Sequence, residues 1–122
     1  MVNLMKIKTL MAVTLLSIGL TFATQTVATN LGPVISQAYE IVLEDFRAPA
    51  TENGSVSFKK CDDCERVTVR VTAGTRYTIN GKTVKLQDFR KAISRVNNRG
   101  GVPMTVLHHL ESDTIELINV SL

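Results

Sequence analysis

The chain is 122 residues long, with a formal net charge of +3 and two cysteines. That length supports one small domain with a single core. The basic balance does not by itself imply a partner. Lys6 and Lys8 fall in a segment that reads as a removable leader, and without them the charge is about +1.

Residues 1 to 28 have the layout of a signal peptide. Lys6 and Lys8 form a positive start, Leu10 to Ala23 an apolar run, and Thr26-Val27-Ala28 a small-residue cleavage site, with Thr21-Phe22-Ala23 as its rival. The run is too short for a comfortable bilayer span. Export to the periplasm or beyond is therefore expected, with no membrane span after cleavage, and an uncleaved anchor is the alternative. No cysteine follows the run, which argues against a lipoprotein. Met5-Lys6-Ile7-Lys8 also reads as a natural start, so Met1 and Met5 are rival first residues.

Residues 29 to 54 read as an entry loop, a strand and a second loop. Tyr39, Ile41 and Leu43 alternate with Glu40, Val42 and Glu44, which suits a strand. Ile35, Tyr39, Val42 and Phe46 would make a helical stripe as the alternative. Ile41-Val42 and the nearby Pro49 favour the strand. Arg47 to Gly54 is read as a loop.

Residues 55 to 122 form the main body, with two β-hairpins in series up to Leu86. A turn at Asp62-Asp63 sets Phe58 opposite Val67, Val56 opposite Val69, and Lys60 opposite Glu65. Val56, Phe58, Val67, Val69 and Val71 then share a face to be buried, and Ser57, Lys59, Arg66, Thr68, Arg70 and Thr72 a wet one. Asn80-Gly81 marks a second hairpin, pairing Ile79 with Lys82 and Tyr77 with Val84. Its apolar face would be Tyr77, Ile79, Val84 and Leu86, and its polar face Arg76, Thr78, Thr83 and Lys85. Gly74 lets the chain turn between the hairpins, giving an expected meander of at least three strands.

Leu86, Phe89, Ile93 and Val96 recur at helical spacing, predicting one helix at about 86 to 97, ended by Asn97-Asn98-Arg99-Gly100-Gly101. Met104 to Leu110 and Ile115 to Leu122 predict a third hairpin turning through residues 111 to 114. That turn would set Leu110 opposite Ile115, Leu107 opposite Ile118 and His109 opposite Glu116. Its apolar residues do not segregate to one face.

The expected class is α+β, mainly β: β-β-β-α-β-β plus an N-terminal strand, as a small partly open barrel or meander. This order matches the OB-fold, with a ferredoxin-like or TolR-like sandwich as the rival. Thr75-Arg76-Tyr77-Thr78-Ile79-Asn80-Gly81, followed by Val84-Lys85-Leu86-Gln87-Asp88-Phe89, resembles a pattern in small exported OB-like domains of unknown function. There a T-x-Y-x-(I/V)-x-G strand leads to an L-x-(D/E)-L segment and a V-x-V strand, here Met104-Thr105-Val106. The likeness covers roughly residues 67 to 122 and implies a fold but no catalytic residue. This chain has a long helix where such domains often have a short link.

Cys61 and Cys64 flank the first turn. A disulfide is the default in an oxidising compartment. A thioredoxin-like redox pair would need a helix after the motif, but Val67-Thr68-Val69 favours a strand. A zinc site would need two more ligands; of His108 and His109, adjacent on a strand, at most one joins easily, and a carboxylate such as Asp62 or Asp63 would have to help. Lys59, Arg66, Arg70, Arg76 and Lys85 form a candidate anion-binding face, for which an anionic glycan, a lipid head group or an acidic protein surface would be the partner. Nucleic acid is disfavoured, because no tryptophan is present and Tyr77 faces the core side. No Ser-His-Asp elbow, phosphate loop or HExxH motif points to an enzyme, and no cofactor is expected. The expected function is a non-enzymatic binding or interaction module of the cell envelope. The alternative is a CxxC-based metal-binding or thiol-redox protein.

Overall fold

A computed structural model describes residues 32–122. The predicted signal peptide lies outside the described residues. Eight strands and one helix follow in order: β1 (Ser36–Val42), β2 (Phe46–Arg47), β3 (Ser55–Lys59), β4 (Arg66–Arg70), β5 (Arg76–Ile79), β6 (Lys82–Val84), α1 (Leu86–Ser94), β7 (Pro103–His109) and β8 (Thr114–Val120). The class is α+β, mainly β. Among the described residues no helix is long and apolar enough to cross a membrane.

All strands belong to one sheet, ordered β1-β7-β8-β4-β3-β2, with β5 paired to β8 and β6. The first and last strands of that order, β1 and β2, are consecutive in the chain and separated only by a single 3-10 turn at Leu43–Asp45. The sheet therefore coils back toward its own start but stays open, without closing into a barrel. β1 takes the place of the strand expected at residues 39 to 44, but it starts three residues earlier and ends at Val42, before the 3-10 turn at Leu43–Asp45, and it pairs antiparallel with all of β7. The helical alternative for this stretch is wrong. The expected loop at 47 to 54 begins one pairing later, because Phe46 and Arg47 continue the in-and-out alternation against Phe58 and Ser57 of β3.

The first hairpin has its expected register, with Val56 opposite Val69 and Phe58 opposite Val67. Val56, Phe58, Val69 and Val71 are buried, while Val67 is only half-buried. Lys60 does not pair with Glu65. Its ammonium lies over the Tyr39 ring, 4.9 Å from the centroid. The Asn80-Gly81 hairpin also forms as expected, with both turn residues at positive φ, which these two types tolerate.

The meander fails between the two hairpins. β5 does not fold back on β4. It runs parallel to β8, Arg76–Ile79 against Leu117–Val120, and β4 touches the same strand once, at Arg70–Thr114. The cause is a turn held by hydroxyls. Thr72 N–H donates to Thr75 Oγ1, Gly74 N–H donates to Thr72 Oγ1, and Thr75 Oγ1 donates to the Ile115 carbonyl at 2.6 Å. Thr75 is buried, and each of these polar groups has a partner, as a buried site requires. Thr78, expected on the wet face, is also buried and bonds Asn119 Oδ1 at 2.7 Å.

α1 buries Leu86, Phe89 and Ile93. Phe89 meets Tyr77 at 5.4 Å and Phe46 edge-on at 6.4 Å. Burying such a ring contributes about 2–3 kcal/mol, so this trio fixes the helix to both β2 and β5. The helix is shorter than predicted and stops at Ser94, where Val96 N–H reaches back only three residues to Ile93.

The third hairpin forms in a different register. Its turn begins at Leu110, which sets His109 opposite Thr114 and His108 opposite Ile115. The pairing then slips by one between Leu107 and His108, leaving Glu116 as an extra residue on β8. Such a bulge reverses which side chains face inward beyond it. Ile115, Ile118 and Val120 can thus all be buried, and the apolar residues fail to alternate in the sequence.

Candidate anion-binding face

The β2–β3–β4 surface facing away from the core is built in cross-strand rows. Ser55 faces Arg70, Lys59 faces Arg66, and the middle row runs Arg47, Ser57, Thr68. The parity that sends Val56, Phe58 and Val69 inward sends these residues outward. Lys59 and Arg66 are like charges directly opposite each other, an arrangement that costs stability. Arg66 Nη1 donates to the Asp45 carbonyl at 3.1 Å and to Ser57 Oγ at 3.3 Å, which holds the guanidinium over the sheet. Among the described residues no lysine or arginine is within ion-pair distance of a carboxylate, so none of these four cations is matched by one.

The five predicted face residues do not all converge. Lys59, Arg66 and Arg70 do. Arg76 stands further along the same edge of β8, in a shallow polar cleft with His109, Ser112, Thr114 and Glu116. Since Thr114 is also the partner of Arg70, this cleft continues the face past the Thr72–Thr75 turn. Lys85 is elsewhere. It precedes the first residue of α1 and lines a separate cleft of about 640 Å³ with Glu52 and Asp88. Sequence reasoning missed Arg47. Its signal was the Phe46-Arg47 alternation, hidden because two residues are too few to read as a strand.

Cys61 and Cys64 form a disulfide, with Cα atoms 5.0 Å apart. The bond closes a β-turn rather than opening a helix, so no helix dipole acts on either sulfur. Cys61 sits beside Ile41, Val42 and Pro103, at the start of β7. His108 and His109 end that same seven-residue strand, roughly 20 Å away at about 3.3 Å per residue. The four proposed zinc ligands are therefore not brought together.

The histidines instead hold their own turn. His108 Nε2 meets Asp113 Oδ1 at 2.7 Å. His109 Nδ1 accepts from the Ser112 N–H at 3.2 Å and lies 2.8 Å from Ser112 Oγ. The expected His109–Glu116 pairing is lost to the register change, and Glu116 Oε2 accepts from Ser36 Oγ at 3.0 Å. Among the described residues Tyr77 is the one group whose ionisation is clearly displaced. Burial, and then the Glu52 carboxylate, push its phenol up to about 12. Its hydroxyl is buried without a hydrogen-bond partner.

Compared with known proteins, the chain matches no family model, no curated protein and no solved structure.

Proposed function

We propose that this is a non-enzymatic binding module of the cell envelope whose outer β2–β3–β4 surface takes an anionic partner. One observation carries the reading. Lys59 and Arg66 oppose each other beside Arg47 and Arg70, and no carboxylate compensates them. A partner that supplies the negative charge would relieve that repulsion and gain charge-assisted hydrogen bonds. The interleaved hydroxyls of Ser55, Ser57 and Thr68 suit the hydroxyl-rich chain of an anionic glycan. The leader-like first 28 residues support the exported-domain reading. The disulfide is compatible with an oxidising compartment.

The test is retention on immobilised polygalacturonate across a salt gradient, together with capture from envelope extract. The triple variant Lys59→Gln, Arg66→Gln, Arg70→Gln should lose retention while its circular dichroism is unchanged. Wild-type retention should weaken steeply with salt, because exposed charges are screened. Undiminished retention by the triple variant removes the proposal.

A further inference from the structure

A second group of cations shares Arg47 with the β2–β3–β4 face and otherwise lies off it. Arg47 from β2, Arg90 from the middle of α1 and Arg99 from the turn after it line one cleft of about 310 Å³, together with Ser94. The buried Phe46 and Ile93 also line it. No aspartate or glutamate lines it, and none of the three guanidiniums is in an ion pair. Two of them are held in place by backbone carbonyls. Arg90 Nη1 donates to the Ala50 carbonyl at 3.1 Å, and Arg99 Nη1 donates to the Ile93 carbonyl at 2.9 Å.

We infer that this cleft between β2 and the C-terminal half of α1 is a binding site for a phosphate group. Each guanidinium carries five N–H donors, and at most two per residue are engaged by the protein. The remainder form a donor-rich site with no carboxylate in its lining, and two of its three guanidiniums are already held, which lowers the cost of binding. Three cations in one small cleft repel one another. A multiply charged oxyanion neutralises them more fully than a single carboxylate would, and planar guanidinium forks fit phosphate oxygens in pairs. The phosphate group could be free or the headgroup of a lipid. The cleft shares only Arg47 with the proposed glycan face, so the two readings stand or fall separately.

Titration of the purified protein with inorganic phosphate, followed by amide NMR, should give saturable shifts at residues 46–48, 90–94 and 99. Arg47→Gln and Arg90→Gln should each weaken binding about tenfold or more, the scale of losing a charge-assisted contact. The double variant Lys59→Gln, Arg66→Gln should leave it within about twofold, as expected for separate sites. Because Arg99 also bonds the end of α1, the Arg47 and Arg90 variants carry the test. Co-sedimentation with phosphatidylcholine vesicles, with and without phosphatidic acid, separates the sources. Binding that needs phosphatidic acid and is lost in Arg90→Gln assigns a lipid headgroup. Saturable phosphate binding without vesicle binding assigns a soluble phosphate. The inference is overturned if neither probe binds, or if the Lys59/Arg66 double variant weakens binding as much as Arg90→Gln.

Discussion

Replacing Lys59 with glutamate should make this protein more stable and worse at binding. Lys59 faces Arg66 directly across the β3–β4 hairpin, where opposed side chains have Cβ atoms about 5 Å apart. An opposite-charge pair there contributes roughly 0.2–1 kcal/mol, and a like-charge pair costs a similar amount. Lys59→Glu converts one into the other, so the expected gain is about 1 kcal/mol at low salt. Arg66 is already held by the Asp45 carbonyl and Ser57 Oγ, so little further ordering is needed to form the new pair. In a domain of this size that is about 4–8 °C in Tm. Lys59→Gln removes the repulsion without adding attraction and should fall between the two. Thermal and urea unfolding at about 0.1 M and 1 M salt provide the check, because the Debye length shrinks from about 10 Å to about 3 Å over that range and most of the gain should vanish. The glutamate variant should also lose retention on polygalacturonate. If it is no more stable than wild type at low salt, or if its gain ignores salt, Lys59 and Arg66 do not feel each other and the charge-conflict argument fails.

Removing the disulfide, as Cys61→Ser with Cys64→Ser, should cost about 2 kcal/mol, because the closed loop is very short. Urea unfolding should show a lower midpoint with an unchanged slope, and collapse of the fold would mean the bond is more than a staple. Tyr77→Phe deletes a buried hydroxyl that has no partner, so stability should hold or rise by up to about 1 kcal/mol. The same residue predicts a pH effect. Its native phenol is pushed up to about 12, against about 10 in an unfolded chain. The native state thus keeps its proton longer. The stability linked to it is complete below about pH 10 and is lost as pH rises through 12. Ultraviolet titration should show one tyrosine ionising late, and Tyr77→Phe should soften the alkaline loss. A Tyr77 that ionises near pH 10 contradicts the burial argument.

Local signals made much of the fold legible. The β3–β4 hairpin could be read because a two-residue turn and strict alternation act over a few residues, and a one-residue slip would bury Arg66 and Arg70. α1 could be read because Leu86, Phe89 and Ile93 meet a single surface. The β7–β8 register could not be read, because one extra residue, Glu116, inverts the alternation midway along β8. The relation of β4 to β5 was also hidden. It depends on a strand forty residues further on, and on hydroxyls of Thr72 and Thr75 that look like ordinary strand threonines until Ile115 supplies the acceptor.

The same division governs the cationic surfaces. Lys59, Arg66 and Arg70 could be grouped from sequence because one hairpin carries all three. Arg76 and Lys85 were grouped with them only by assuming that the second hairpin continues the first. Parallel pairing to β8 moves Arg76 along an edge, and the start of α1 takes Lys85 to another cleft. Arg47, Arg90 and Arg99 lie on three different elements, so no spacing rule connects them. What connects them is aromatic packing, since the Phe46–Phe89 contact draws β2 against α1 and thereby brings their flanking arginines to one cleft. A core substitution such as Phe89→Leu should therefore loosen phosphate binding while sparing polygalacturonate retention, because the hairpin that displays Lys59 and Arg66 does not depend on α1. Equal losses at both surfaces would mean instead that the two cationic groups belong to one continuous site.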